Sequence, residues 1–213
     1  YTVFIIYDPE KELRMYNKIK RRIFKWNVNL RWYFWLFIIP FFIFLIHWVL
    51  HRLFFNNNLI LFHQNLFNIL PLILVNIVMG GLEEVGWRGV LLPRLLRKYN
   101  KIHATIITSL IWSGWHLPLW FIDGSPQKNM NVIVFIVLGL IFSFQLTIFY
   151  LKTKSLLLCI IMHSIFNSYP AIINIPSNRI YLSTIIMFLF SFLIFIIMYP
   201  KEVGIKFQII KYN

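Results

Sequence analysis

Residues 80–89 read Gly80-Gly81-Leu82-Glu83-Glu84-Val85-Gly86-Trp87-Arg88-Gly89 and set two adjacent acids inside a chain otherwise built of long apolar runs. A carboxylate near hydrocarbon costs several kcal/mol unless it is paired or lines a wet cavity, so an acid placed there marks a functional candidate. The chain holds seven acids in 213 residues. Asp8, Glu10 and Glu12 precede the first long apolar run, Glu202 follows the last, and Asp123 lies in a connecting loop. Only Glu83 and Glu84 remain near the apolar body.

Working outward, 59% hydrophobic residues and 19% aromatics, with a mean hydropathy of +0.71, exclude an ordinary soluble domain. A span needs about 20 apolar residues to cross roughly 30 Å of hydrocarbon. The sequence predicts six: 32–50, 59–79, 104–122, 130–150, 155–173 and 180–199. The expected fold is therefore all-α, a polytopic transmembrane bundle of about six spans with its active site between helices near the cytoplasmic leaflet.

Charge orients that bundle. Assigning the intervening segments alternately to two sides puts eighteen of the 21 Lys and Arg residues on one side, leaving only Arg52, Lys128 and Arg179 on the other. The positive-inside rule then predicts a multi-pass protein of the cell membrane with both ends of this chain in the cytoplasm. The net charge of +14 is spread between apolar runs rather than along one basic element, so nucleic acid is not an expected partner; membrane lipid and a peptide or protein substrate are. Three regions follow: a basic cytoplasmic segment 1–31, a transmembrane domain 32–199 and a basic cytoplasmic tail 200–213. The chain opens at Tyr1 rather than Met, which predicts a missing N-terminal piece, with residues 1–7 as the tail of a lost helix. The single Cys159 excludes an intrachain disulfide and any multi-thiolate metal site, and reads as a small lipid- or helix-facing filler.

Three polar constellations interrupt the apolar runs. In the first, Glu84 and Arg88 stand four apart and share a helix face, while Glu83 points about 100° away. The pair predicts one acid held in an ion pair and one left available as a base; alone, it could equally be a solvated helix end. The second is Trp112-Ser113-Gly114-Trp115-His116-Leu117-Pro118-Leu119-Trp120, where His116 could address a water or simply bridge helices. In the third, His163 and Asn167 are four apart and can aim two donors into one space, as an oxyanion clamp or as interhelical glue. His47, His51, His63 and His103 lack such company and read as interfacial or structural. Together the three constellations supply a base, two imidazoles and an amide, a complete set for adding water to a carbonyl.

These residues resemble the CAAX protease and bacteriocin-processing intramembrane proteases, also called the Abi family, whose pattern is Glu-Glu-x-x-x-Arg, then Phe-x-x-x-His, then His-x-x-x-Asn or Asp on three transmembrane helices. Glu83, Glu84 and Arg88 match the first motif, within EEVGWRGVLLPRL at 83–95. His116 matches the second, with Trp112 in place of the usual Phe, and His163 with Asn167 matches the third. The resemblance covers about residues 80–170. Family members commonly have about eight helices, which again predicts a truncation or a short variant. The resemblance implies intramembrane hydrolysis of a peptide bond, in bacteriocin processing or self-immunity. Glu83 would activate water with help from His116, His163 and Asn167 would stabilise the oxyanion, and Glu84 and Arg88 would hold the geometry. Trp112 and Trp87 would line the substrate.

The family has also been described as metalloproteases, and Glu83, His116 and His163 could offer zinc or another divalent metal three ligands with an open fourth position. Were Glu83 a ligand, another group would have to be the base, and a His-Glu-x-x-His pair is absent from the sequence; the favoured expectation has no cofactor. Two other classes stay open: a non-catalytic bacteriocin-immunity binding protein and a small proton-coupled transporter. One geometric difficulty is visible in advance. His116 lies ~18 Å along a helix entered at Ala104, at 1.5 Å per residue, whereas Glu83 reads as a residue of the cytoplasmic edge.

Overall fold

The computed structural model describes residues 9–55, 65–171 and 181–199. The predicted tail 200–213, residues 1–7, the start of the 59–79 span, His63 and Arg179 lie outside the described residues. Within them every regular element is a helix. In chain order these are α1 (Pro9–Ile23), α2 (Arg31–Phe55), α3 (Ile69–Met79), α4 (Gly81–Leu95, bent 41° from α3), α5 (Lys101–Trp115), α6 (Val132–Thr153), α7 (Leu156–Ser168) and α8 (Tyr181–Met198).

The centre of the bundle is α6. Ten consecutive residues, 141–150, are buried, which a helix achieves only when it is covered on every face, and α5, α7 and α8 pack around it. Asn131 starts it by accepting from the backbone N–H groups of Ile133 and Val134, at 2.9 and 3.2 Å. Lys154 ends it in the left-handed region at φ 54°, donating its N–H to the Tyr150 carbonyl. The Ser155 hydroxyl then accepts from Leu158 N–H and opens α7.

By length and composition α2 and α6 can each cross a membrane, and the bent pair α3–α4 counts as a third candidate. α7 and α8 are apolar but shorter. The third expected span is shorter than 104–122, because α5 stops at Trp115 and the chain passes through a 3₁₀ segment over Leu117–Phe121. Pro118 explains the break, since it brings no N–H to continue the ladder.

Polar side chains tie the helices together. Gln145 donates to Ser191 Oγ at 2.6 Å, and that hydroxyl donates on to the Ile141 carbonyl. Asn76 donates to Ser168 Oγ at 2.9 Å. Within lipid such bonds and close packing replace the hydrophobic force that holds soluble helices.

At one end of the bundle Arg22 donates to the Tyr150 hydroxyl, Lys25 donates to the Thr153 carbonyl at 2.7 Å, and Lys101 and Lys152 each lie 4.8 Å from the Tyr199 ring centroid. The N-terminal segment, the approach to α5, the α6–α7 turn and the end of α8 therefore meet there. These are the segments that charge assigns to one side. Cys159 is a buried free thiol facing neighbouring helices, 3.3 Å from the Ser155 carbonyl.

Candidate active site

The site begins at the corner between α3 and α4. A Cβ on Gly81 would stand 2.6 Å from Ser164 Oγ and 2.8 Å from the Ile160 carbonyl, and one on Gly80 would stand 2.6 Å from Asn167 Nδ2 and 3.2 Å from His163 Nε2. Two glycines thus let the corner press against α7 where the third motif lies. The helical run continues past residue 79, bent rather than ended, and carries Glu83 to the same place. This removes the depth difficulty: Glu83 and His116, at the end of α5, line one cavity of about 460 Å³ with Met79, Trp115, Pro118 and Leu119.

α4 is not a uniform helix. It runs from 3₁₀ over Gly81–Glu83 through a short α segment to a π turn over Trp87–Leu91, where Leu92 N–H donates to the Trp87 carbonyl five residues back. Pro93 has no N–H to give Gly89, which favours the wider turn.

Glu84 is 0% and Arg88 2% exposed. As the spacing predicts, they pair: Arg88 Nη1 lies 3.1 Å from Oε2 as an ion pair and donates to Oε1 at 3.3 Å. Glu84 also accepts from His163 Nδ1 at 2.8 Å, so it orients an imidazole as well as holding a guanidinium. Arg88 Nη2 donates to Ser143 Oγ on α6 at 2.8 Å. Sequence reasoning missed Ser143 and the Glu84–His163 bond, since neither a lone serine in an apolar run nor a partner 79 residues away leaves a local signal.

Glu83 is half-buried. Its Oε2 accepts two indole N–H groups, from Trp87 at 3.2 Å and Trp112 at 3.0 Å, while no hydrogen bond from the described residues reaches Oε1. His116 donates from Nδ1 to the Trp112 carbonyl at 2.8 Å, which leaves Nε2 of the neutral ring with a lone pair. His163 is 1% exposed, and Asn167 on the same face is exposed. The Trp112 ring lies among these groups, 4.3 Å from the His116 centroid and 6.3 Å from that of His163. Trp87 lines a second cavity of about 520 Å³ beside Glu83, together with Leu82, Val90, Leu91, Arg94, Ile111 and Trp115. Trp112 is a wall of neither cavity, because its ring is turned into the α5–α6 contact; Trp115 borders both. His103 is exposed and bonds Asn100 on the surface, at 2.8 Å.

No group of three His, Cys, Asp or Glu side chains among the described residues is arranged to hold a metal ion. Glu84 engages His163 Nδ1 and a backbone carbonyl engages His116 Nδ1, so the Nε2 of each ring is the nitrogen left to face a water, a substrate or an ion.

Comparison with known proteins agrees with the motifs. The family model described as type II CAAX prenyl endopeptidase Rce1-like matches residues 64–169, a stretch that contains all three constellations. The chain is 30% identical over 139 residues to a CAAX prenyl protease 2 of Methanococcus maripaludis, covering 62% of this chain and 51% of that protein. The chain thus spans about half the length of the curated relative it matches.

Proposed function

The chain belongs to the CAAX protease family, and from that premise we propose that it is an intramembrane endopeptidase which hydrolyses a peptide bond of a membrane-associated peptide or protein through water activated by Glu83. The observation that carries the reading is the cavity shared by Glu83 and His116, with Oε1 of Glu83 receiving no hydrogen bond from the described residues. A water held between Oε1 and the His116 Nε2 lone pair gives its proton to the carboxylate as its oxygen adds to the carbonyl carbon. His163 Nε2, when protonated, and Asn167 Nδ2 donate to the oxygen that takes up the charge. Collapse breaks the C–N bond as the proton passes from Glu83 to the leaving nitrogen. Glu84 and Arg88 hold His163 and α4 in place.

The bundle spans the membrane about six times with both ends of the chain cytoplasmic, and the site lies inside it at the depth of His116, at the end of α5 away from Lys101. The meeting of the basic segments at one end of the bundle supports this orientation. The relative named above is called a prenyl protease; for this chain the two cavities flanking Glu83 support an apolar substrate, and bacteriocin maturation or self-immunity is its biological setting.

Reconstituted protein tests the reading. In phospholipid vesicles the wild type should release products from an internally quenched peptide pool, and Glu83→Gln should lower that rate by about 10²–10⁴-fold. Cleavage by the glutamine variant at the wild-type rate would defeat it.

A further inference from the structure

We propose that Trp112 is a positioning residue for Glu83, acting through its indole N–H, and that Gly139 on α6 is the notch that seats the indole. The inference rests on the reading of Glu83 as base and adds to it the group that aims the carboxylate. The family pattern has Phe at this place, and a phenyl ring has no donor. Indole carries one N–H and no acceptor, so it can tie a carboxylate oxygen but cannot compete for the proton of water. With the Trp87 and Trp112 indoles both on Oε2, at 3.2 and 3.0 Å, the carboxylate is fixed from its own helix and from α5, and Oε1 is the oxygen left for water.

The indole is itself immobilised by α6. Trp112 stacks on Phe135 with centroids 5.3 Å apart and planes at 10°, and meets Phe142 edge-on at 6.3 Å. A Cβ on Gly139 would lie 3.1 and 3.3 Å from Trp112 Cζ3 and Cε3, and 2.9 Å from Ser113 Oγ. A wider side chain at 139 would therefore push the ring, and with it the N–H, away from Glu83. The same ring abuts both imidazoles, so its seating also sets the spacing of His116 and His163 around the carboxylate.

Two measurements on the full chain in vesicles test this. The first is the ultraviolet resonance Raman marker of indole N–H bonding, isolated for Trp112 as the wild-type minus W112F difference and repeated in a Glu83→Ala background. The marker should report a bonded N–H in the first case and move toward the unbonded position in the second; an unchanged marker overturns the contact. The second is kinetic, on the internally quenched peptide pool. Benzothienylalanine at 112, which replaces N–H by sulfur and keeps the ring, should lower kcat about tenfold to a hundredfold with KM nearly unchanged, the effect of losing one hydrogen bond to a charged group. Gly139→Ala should do likewise, and the double variant Gly139→Ala/Trp112→Phe should be no slower than Trp112→Phe, because both remove one interaction. A raised KM at unchanged kcat would make Trp112 a substrate wall and overturn the proposal. Absence of cleavage by the wild type counts against the endopeptidase reading instead, and the Raman marker then decides whether Trp112 holds Glu83.

Discussion

Glu83 and Glu84 are neighbours in sequence with opposite surroundings. Glu84 is fully buried against Arg88 and His163, so Glu84→Gln strands a buried guanidinium. Its cost should be about 3–5 kcal/mol, the range for breaking a buried pair from one side, read as a lowered unfolding midpoint in mild detergent. Glu83→Gln removes no buried pair and should leave the unfolding free energy within about 1 kcal/mol of the wild type while lowering cleavage by about 10²–10⁴-fold. Equal destabilisation by the two variants would contradict the division of labour. At this scale the sequence was informative where partners are four apart, as for Glu84 with Arg88 and for His163 with Asn167. It could not show that Glu84 also reaches His163, that Ser143 receives Arg88, or that Trp112 turns its N–H to Glu83, since each depends on which helices become neighbours.

The α3–α4 corner and the α6–α7 turn show what single elements contribute. Gly81→Ala would drive a methyl to 2.8 Å from the Ile160 carbonyl, a backbone atom that cannot step aside, and should cost about 1–3 kcal/mol of stability. Opposite Gly80 stand the end of the Asn167 side chain, which can rotate away, and the His163 ring that Glu84 holds, so Gly80→Ala should lower kcat more than it lowers stability. At the other turn the Lys154 side chain is exposed yet partly desolvated; this first, and then the nearby charges of Arg22, Lys101, Lys25 and Lys18, push its ammonium below its ordinary 10.5. The folded state therefore disfavours this charge at every pH below the lowered value, and the penalty fades as pH rises toward 10.5, where the unfolded lysine also loses its proton. Lys154→Gln should accordingly raise the midpoint at pH 7 and have no effect near pH 11. The apolar runs announced these helices, whereas their ends followed local chemistry: Pro118 closes the third run early, and Pro93 favours a π turn within α4. Two adjacent glycines in an apolar stretch signal a close approach, but only the packed structure says that the approach is to α7.

For the whole molecule, hydropathy and loop charge made an all-helical, membrane-embedded bundle legible. The distribution of Lys and Arg anticipated which segments gather at one end, with Arg22, Lys25, Lys101 and Lys152 meeting there. The number of crossings was less legible from composition, because α7 and α8 are shorter than the runs that contain them. In a Cys159→Ala background, Ser125→Cys should react with a membrane-impermeant maleimide in intact cells and Lys98→Cys only after permeabilisation; the reverse pattern would invert the topology. The central claim is that this architecture exists to bring a glutamate-bound water to a peptide bond at the membrane. Its most direct test is peptidomics of cells expressing wild type or Glu83→Gln at matched abundance. Peptides released from membrane-associated precursors should be present with the wild type and missing with the variant; identical peptidomes would contradict the account.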